Sequence, residues 1–209
     1  MTETTGTSVR ERLEGAACVQ AVESGVPPLA FERFLDLLRP LADHNIESYL
    51  HGLRVGIYAS RLAAAGPDEV SPRLALEGGA AHDIGKLDIP NAVLRADPFG
   101  TEQRRVTAGH ALAGFERLRD THRNVAIIAG LHHAFQHNPY GLQPGTVRNR
   151  ELVRTAEMVS VCDFFDAFVT RHNCYTQGHQ RGLLRQVMAD TFPQHPGWVA
   201  WLIDHGPVS

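Results

Sequence analysis

The stretch AAHDIGKLDIP, residues 80–90, sets an imidazole beside a carboxylate and adds an ammonium three places on, all within an apolar run. Ionisable groups in such a run are costly to bury unless they are paired or ligate something. Around this stretch helical periodicity dominates and strand-like alternation is almost absent, so the chain reads as all-α. An amphipathic segment over 9–23 stops at Gly25-Val26-Pro27-Pro28, and a short helix over 29–38 ends at Pro40. The next helix, 43–64, carries Ile46, Leu50, Leu53, Val55, Ile57 and Leu62 and stops at Gly66-Pro67. From Pro72 a helix leads to His82-Asp83 and ends near Gly85; Pro90 opens a short turn. Thr101 reads as the N-cap of a helix reaching Arg119, and Thr121 as that of one reaching Phe135. HNPYGLQPGT, residues 137–146, is a loop, followed by helices over 148–170, 180–192 and 198–203.

The bulk properties narrow the function. With 209 residues, 43% of them hydrophobic, the chain suits a single core, and no repeat or linker divides it. A net charge of -3 provides no basic field for extended nucleic-acid binding. Cys18, Cys162 and Cys174 are odd in number and lack a CxxC spacing, so they indicate neither a disulfide framework nor a zinc knuckle, and a reducing cytoplasm is expected. The polar N-terminus is unlike a signal peptide, and no apolar run reaches the roughly 18 residues of a membrane span. Twelve histidines are more than packing alone calls for.

The polar residues that interrupt the apolar faces form an ordered series. Glu47 and His51 share a helix face; His82, Asp83 and Lys86 follow, then His110 in TAGHALAG, His132 and His133 at the end of VAIIAGLHH, and Asp163 in MVSVCDFFDAF. Each has an ordinary reading alone: a solvated i,i+4 pair, a helix-end pair, a structural histidine, a polar exit from a helix, a cap. Together they fit one arrangement, a helical bundle projecting imidazoles and carboxylates inward to a multinuclear metal site. Ligands without thiolates suit iron or manganese better than zinc, nickel or cobalt.

This order of motifs, H51, HDIGK at 82–86, H110, HH at 132–133 and D163, resembles the HD superfamily of metal-dependent phosphohydrolases, and within it the HD-GYP branch. The likeness covers roughly residues 45–175. It implies a helical bundle with a five-helix core in 41–209, residues 1–40 being an added N-terminal helical segment, the two forming one compact unit. It also implies two or three transition-metal ions held by Glu47, His51, His82, Asp83, His110, His132, His133 and Asp163. Asp83 would bridge metals, Glu47 would serve a third metal, and Lys86 would meet substrate phosphate.

The chain departs from the branch where HHExxDGxGYPxGLxG is replaced by HHAFQHNPYGLQPG, three residues shorter up to the shared Gly-Leu. Ala134 stands for the usual glutamate, Pro139-Tyr140 reverse the usual order, and RHNCYTQ at 171–177 replaces an RPYR-like segment. Tyr140, Arg171 and Tyr175 are the substrate contacts that the resemblance assigns in these altered segments.

The expected chemistry is hydrolysis of a phosphodiester or phosphomonoester, of a nucleotide or cyclic dinucleotide. Two cations about 3.5 to 4 Å apart can bridge a hydroxide and aim it at phosphorus, and the chain carries no P-loop, GxSxG elbow or Cys/His nucleophile. Two alternatives use the same residues: a mixed-valent di-iron oxygenase, and a non-catalytic module binding a nucleotide or a protein. A homodimer is compatible with each.

Overall fold

The computed structural model describes residues 8–66, 70–96, 100–172 and 178–206, and the side chains of 171, 172 and 178–180 are outside that description. Every regular element among the described residues is helical: α1 (Val9–Glu23), α2 (Pro28–His44), α3 (Ile46–Ala65), α4 (Pro72–Ala81), α5 (Asn91–Leu94), α6 (Thr101–Thr107), α7 (His110–Leu118), α8 (Arg123–Leu131), α9 (Arg150–His172), α10 (Gly178–Thr191) and α11 (Pro196–His205), with 3₁₀ turns at Ile84–Asp88 and Pro144–Thr146. The architecture is an all-α helical bundle.

Local chemistry explains where the helices start. Ser8 and Glu11 form a reciprocal capping box on α1. Asn45 accepts from the Ser48 amide at 2.9 Å to open α3, and Ser71 with Pro72 opens α4. Three boundaries differ from the sequence reading. Helix α2 runs through Pro40 because the ring and Asp36, whose carbonyl it leaves without its helical donor, lie on the exposed side, while Leu38, Leu41 and Ala42 anchor the other face. The helix expected over 101–119 is two helices broken at Ala108-Gly109, a break that lets the His110 ring fold back onto the Thr107 carbonyl. The helix expected to be capped by Thr121 starts at Arg123 and ends at Leu131, so His132 and His133 leave it in a turn.

Helix α3 is apolar on opposite sides. Tyr49, Leu50, Leu53 and Ile57 join the N-terminal helices in one core cluster, with Phe31, Leu35 and Leu38. Val55, Tyr58, Ala59 and Leu62 join Met158, Phe165, Leu184 and Leu202 in the other. Helices α4 and α8 likewise contribute to both clusters, through Leu76 and Ala75, and Val125 and Ile128. At the far end His195 places Nε2 2.6 Å from a Glu157 oxygen and stacks on Trp198, which ties α11 to α9.

Helices α3 and α4 cross with backbone in contact. A Cβ on Gly52 or Gly56 would sit 2.6 Å from the carbonyl oxygen of Ala80 or Leu76, and one on Gly79 would sit 2.7 Å from the Gly56 Cα. This crossing brings the His51 and His82 rings within 5.1 Å. Gly85 does the same for the 3₁₀ turn after Asp83, where a Cβ would meet the His110 carbonyl oxygen at 2.0 Å.

Gly79→Ala should therefore force the two helices apart and cost about 2 kcal/mol or more of stability in urea denaturation, the range for overpacking a tight core. Gly15→Ala, at a position with open space in the middle of α1, should instead stabilise by about 0.5 to 1 kcal/mol. Equal effects of the two would contradict the packing described.

Candidate metal centre

Five histidines turn one nitrogen outward to a hydrogen-bond partner and the other toward a common point. The Nδ1 atoms of His82, His110 and His132 each lie 2.7 Å from a backbone carbonyl three residues earlier, on Gly79, Thr107 and Ala129. A carbonyl only accepts, so each Nδ1 carries the proton and donates. His51 donates from Nδ1 to Asp166 at 2.7 Å, and His133 to the Gln136 Oε1 at 2.8 Å. In a neutral ring this leaves Nε2 as a bare lone pair, the form that binds metals.

Burial keeps the inner histidines neutral. It lowers the pKa of His82, and for His132 burial and the three neighbouring imidazoles lower it far below the ordinary value. His133 falls to about 4, chiefly through burial. His51 differs: burial opposes its charge, but hydrogen bonds to Asp163 and Asp166 outweigh that and raise it to about 9. A metal on its Nε2 must displace the proton that faces Asp163.

The carboxylates complete the arrangement. Asp83 points Oδ1 at His110 Nε2, 3.1 Å away, and Oδ2 at His82 Nε2 and His51 Nε2, at 3.5 and 3.9 Å. Asp163 Oδ1 lies 3.0 Å from His51 Nε2 and 3.8 Å from His82 Nε2. Both side chains are almost fully buried. Burial favours their neutral forms, yet the Lys86 ammonium holds Asp83 well below the usual carboxylate range, and the hydrogen bond from the protonated His51 does so for Asp163.

The residues fit metal ions on two grounds. Ligands about 2.1 Å from one ion stand about 3 to 4 Å from each other, the spacing seen here. In addition, the buried His82 Nε2 has no hydrogen-bond partner, and the His132 Nε2 lone pair lies 3.2 Å from His110 Nε2, contacts that a cation would satisfy. Among the described residues three donor groups result: His51, His82 and Asp83; His110, His132 and His133; and His82, His132 and Asp163. Cys162, next to Asp163, faces the core with its thiol pKa pushed well up by burial, so it offers no thiolate.

The remaining predicted residues are placed as follows. Lys86, the chain's only lysine, reaches Asp83 Oδ2 from the 3₁₀ turn at 2.5 Å. Tyr140 packs tilted against His133 with ring centroids 4.3 Å apart, and burial raises its hydroxyl pKa, so it stays a donor. Its loop is pinned to α8: Leu142 N donates to the Gly130 carbonyl at 2.7 Å, and Gly141, at φ 90°, has no room there for a Cβ. Glu47 is exposed on α3, one turn before His51, and belongs to none of the three donor groups. The Arg171 side chain and all of Tyr175 lie outside the described residues.

Three residues that sequence reasoning missed hold the candidate ligands. Asp166, 1% exposed, accepts from His51 Nδ1 and from Arg54 Nε and an Arg54 NH2 group, at 2.8 and 2.9 Å. This is a carboxylate orienting a ligand histidine, itself oriented by a bidentate guanidinium. Gln136 links His133 to Asp163. The available signal was spacing: Arg54 follows His51, and Asp166 follows Asp163, by three residues on a helix.

Comparison with known proteins agrees with this geometry. The HD domain model matches residues 49–167. A multifunctional CCA protein from Thioalkalivibrio sulfidiphilus is 32% identical over 117 residues, covering 56% of this chain and 27% of the relative. A cyclic di-GMP phosphodiesterase from Thermotoga maritima is 30% identical over 145 residues, covering 66% of this chain and 39% of the relative. The chain thus spans well under half the length of these curated relatives. No solved structure matches it significantly, and no helix among the described residues is long and apolar enough to cross a membrane. The matched span runs from before His51 to beyond Asp163 and takes in each of the three donor groups, and on that ground the chain belongs to the HD domain family.

Proposed function

We propose that the chain is a metal-dependent phosphohydrolase of the HD-GYP-like branch, cleaving a phosphodiester or phosphomonoester of a nucleotide or cyclic dinucleotide. The observation that carries this reading is the convergence of five imidazoles and two ionised carboxylates on one buried point beside a lone ammonium. Similarity to a cyclic di-GMP phosphodiesterase supports a phosphorylated substrate.

In this reading His51, His82 and Asp163 serve one ion and His110, His132 and His133 another, with Asp83 shared because its two oxygens face the two sets. A third ion would use Glu47. Iron or manganese suits this nitrogen and oxygen donor set. Bound there, such ions supply an activated water and positive charge near the reacting phosphorus.

The protein's own groups do the rest. Lys86, held at Asp83 Oδ2, would offer its ammonium to a non-bridging phosphoryl oxygen. Tyr140 donates at the rim over His133, and Arg171 and Tyr175 are assigned to substrate contact. The short loop, pinned to α8 at Gly130, lies close against the histidines and favours a small phosphoester over a bulky cyclic dinucleotide.

The test is a screen of metal-replete protein against cyclic dinucleotides, nucleotides and a generic phosphodiester; no turnover of any of them would remove the proposal. Purified protein should carry at least two transition-metal ions per chain, mainly iron or manganese, by elemental analysis. Absence of bound metal together with no uptake at neutral pH would contradict it. Asp83→Ala should lose metal and activity together, whereas Lys86→Ala should keep the metal and lower kcat by about 10²-fold. Full metal content and rate in Asp83→Ala would refute the assignment. Finally, with iron and with manganese, kcat/KM for cyclic di-GMP should fall below that for another phosphoester in a panel including its linear dinucleotide product. A value above every competitor would show that the loop does not set specificity.

A further inference from the structure

Gln136 lies just past the turn that carries His132 and His133, and both ends of its amide go to members of the donor groups. Oε1 accepts from His133 Nδ1 at 2.8 Å, and Nε2 donates to Asp163 Oδ2 at 3.2 Å. Chemistry assigns the amide's orientation. An ionised Asp163 can only accept, so the NH₂ group must face it, and the carbonyl oxygen is left for His133.

The partners set this residue apart from a glutamine that merely closes a turn. Such a side chain would bond to nearby backbone or water. Here it spans from the end of α8 to α9 and touches two ligand side chains from different donor groups. It also divides the work of Asp163: Oδ2 is held by the amide, which leaves Oδ1 facing His51 and His82.

We propose that Gln136 is a positioning residue for the metal centre, fixing the His133 tautomer with Nε2 bare and limiting Asp163 to one ligating oxygen. The inference rests on the metal reading above. It predicts that the pocket of His110, His132 and His133 depends on Gln136 for affinity, and that the coordination number at Asp163 depends on it too.

The experiment titrates cobalt(II) into metal-free wild type, Gln136→Met and Gln136→Glu, following heat and the visible d–d absorption. Wild type should bind two cobalt ions. Gln136→Met, close in size but with neither hydrogen bond, should weaken the site of His110, His132 and His133 about 10- to 100-fold, and at the site that uses Asp163 should change the cobalt spectrum with a smaller change in affinity. Gln136→Glu keeps the acceptor for His133 but repels Asp163, so it should retain both sites with a changed cobalt spectrum. Wild-type affinities and spectrum in Gln136→Met, or equal weakening of both sites, would overturn the proposal while leaving the metal reading intact. If Gln136→Met fails to fold, Gln136→Glu carries the test, and an unchanged spectrum there overturns it. A wild type that takes up no cobalt overturns the metal reading, and this assignment with it.

Discussion

The structure depends on a debt incurred by burial: two ionised carboxylates and five imidazoles inside a helical bundle need compensation that apolar neighbours cannot give. The bundle meets part of it from its own groups. Outward nitrogens are bonded to carbonyls or side chains, Asp166 is bonded to Arg54, and Asp83 to Lys86. Within the site, what is left unmet is the inward Nε2 of His82. A site satisfied on its outside and open at that nitrogen could hold a cation.

That organisation constrains the fold. The rings can meet only if helices approach to backbone contact, which explains the small residues where α3 meets α4 and where the turn after Asp83 meets α7. The apolar residues build two clusters that share α3, α4 and α8; α3 carries His51, and His82 with Asp83 and His132 with His133 lie just beyond the ends of α4 and α8.

Much of this was legible in the sequence. The periodicity of α1, α3 and α4 is regular enough to place them within a few residues, and seven of the eight expected ligands fall within the donor groups. Glu47 is the exception because an i,i+4 relation to His51 fixes a shared helix face but not whether that face is covered. The course of α2 through Pro40 was hidden because the cost of a proline depends on whether the carbonyl it orphans is exposed. Asp166, Arg54 and Gln136 were not legible as a set, since their roles depend on contacts spanning up to 115 residues of chain.

The partners of the five outward nitrogens also decide how readily such a centre can change over generations. Three of them are main-chain carbonyls, on Gly79, Thr107 and Ala129, which no substitution can delete. The other two are side chains, Asp166 and Gln136, each a single codon away from a different acceptor strength. Inherited variation can therefore adjust ligand basicity at His51 and His133 while the other three imidazoles stay held, so the heritable tuning of the metals is confined to the two histidines at opposite ends of the series.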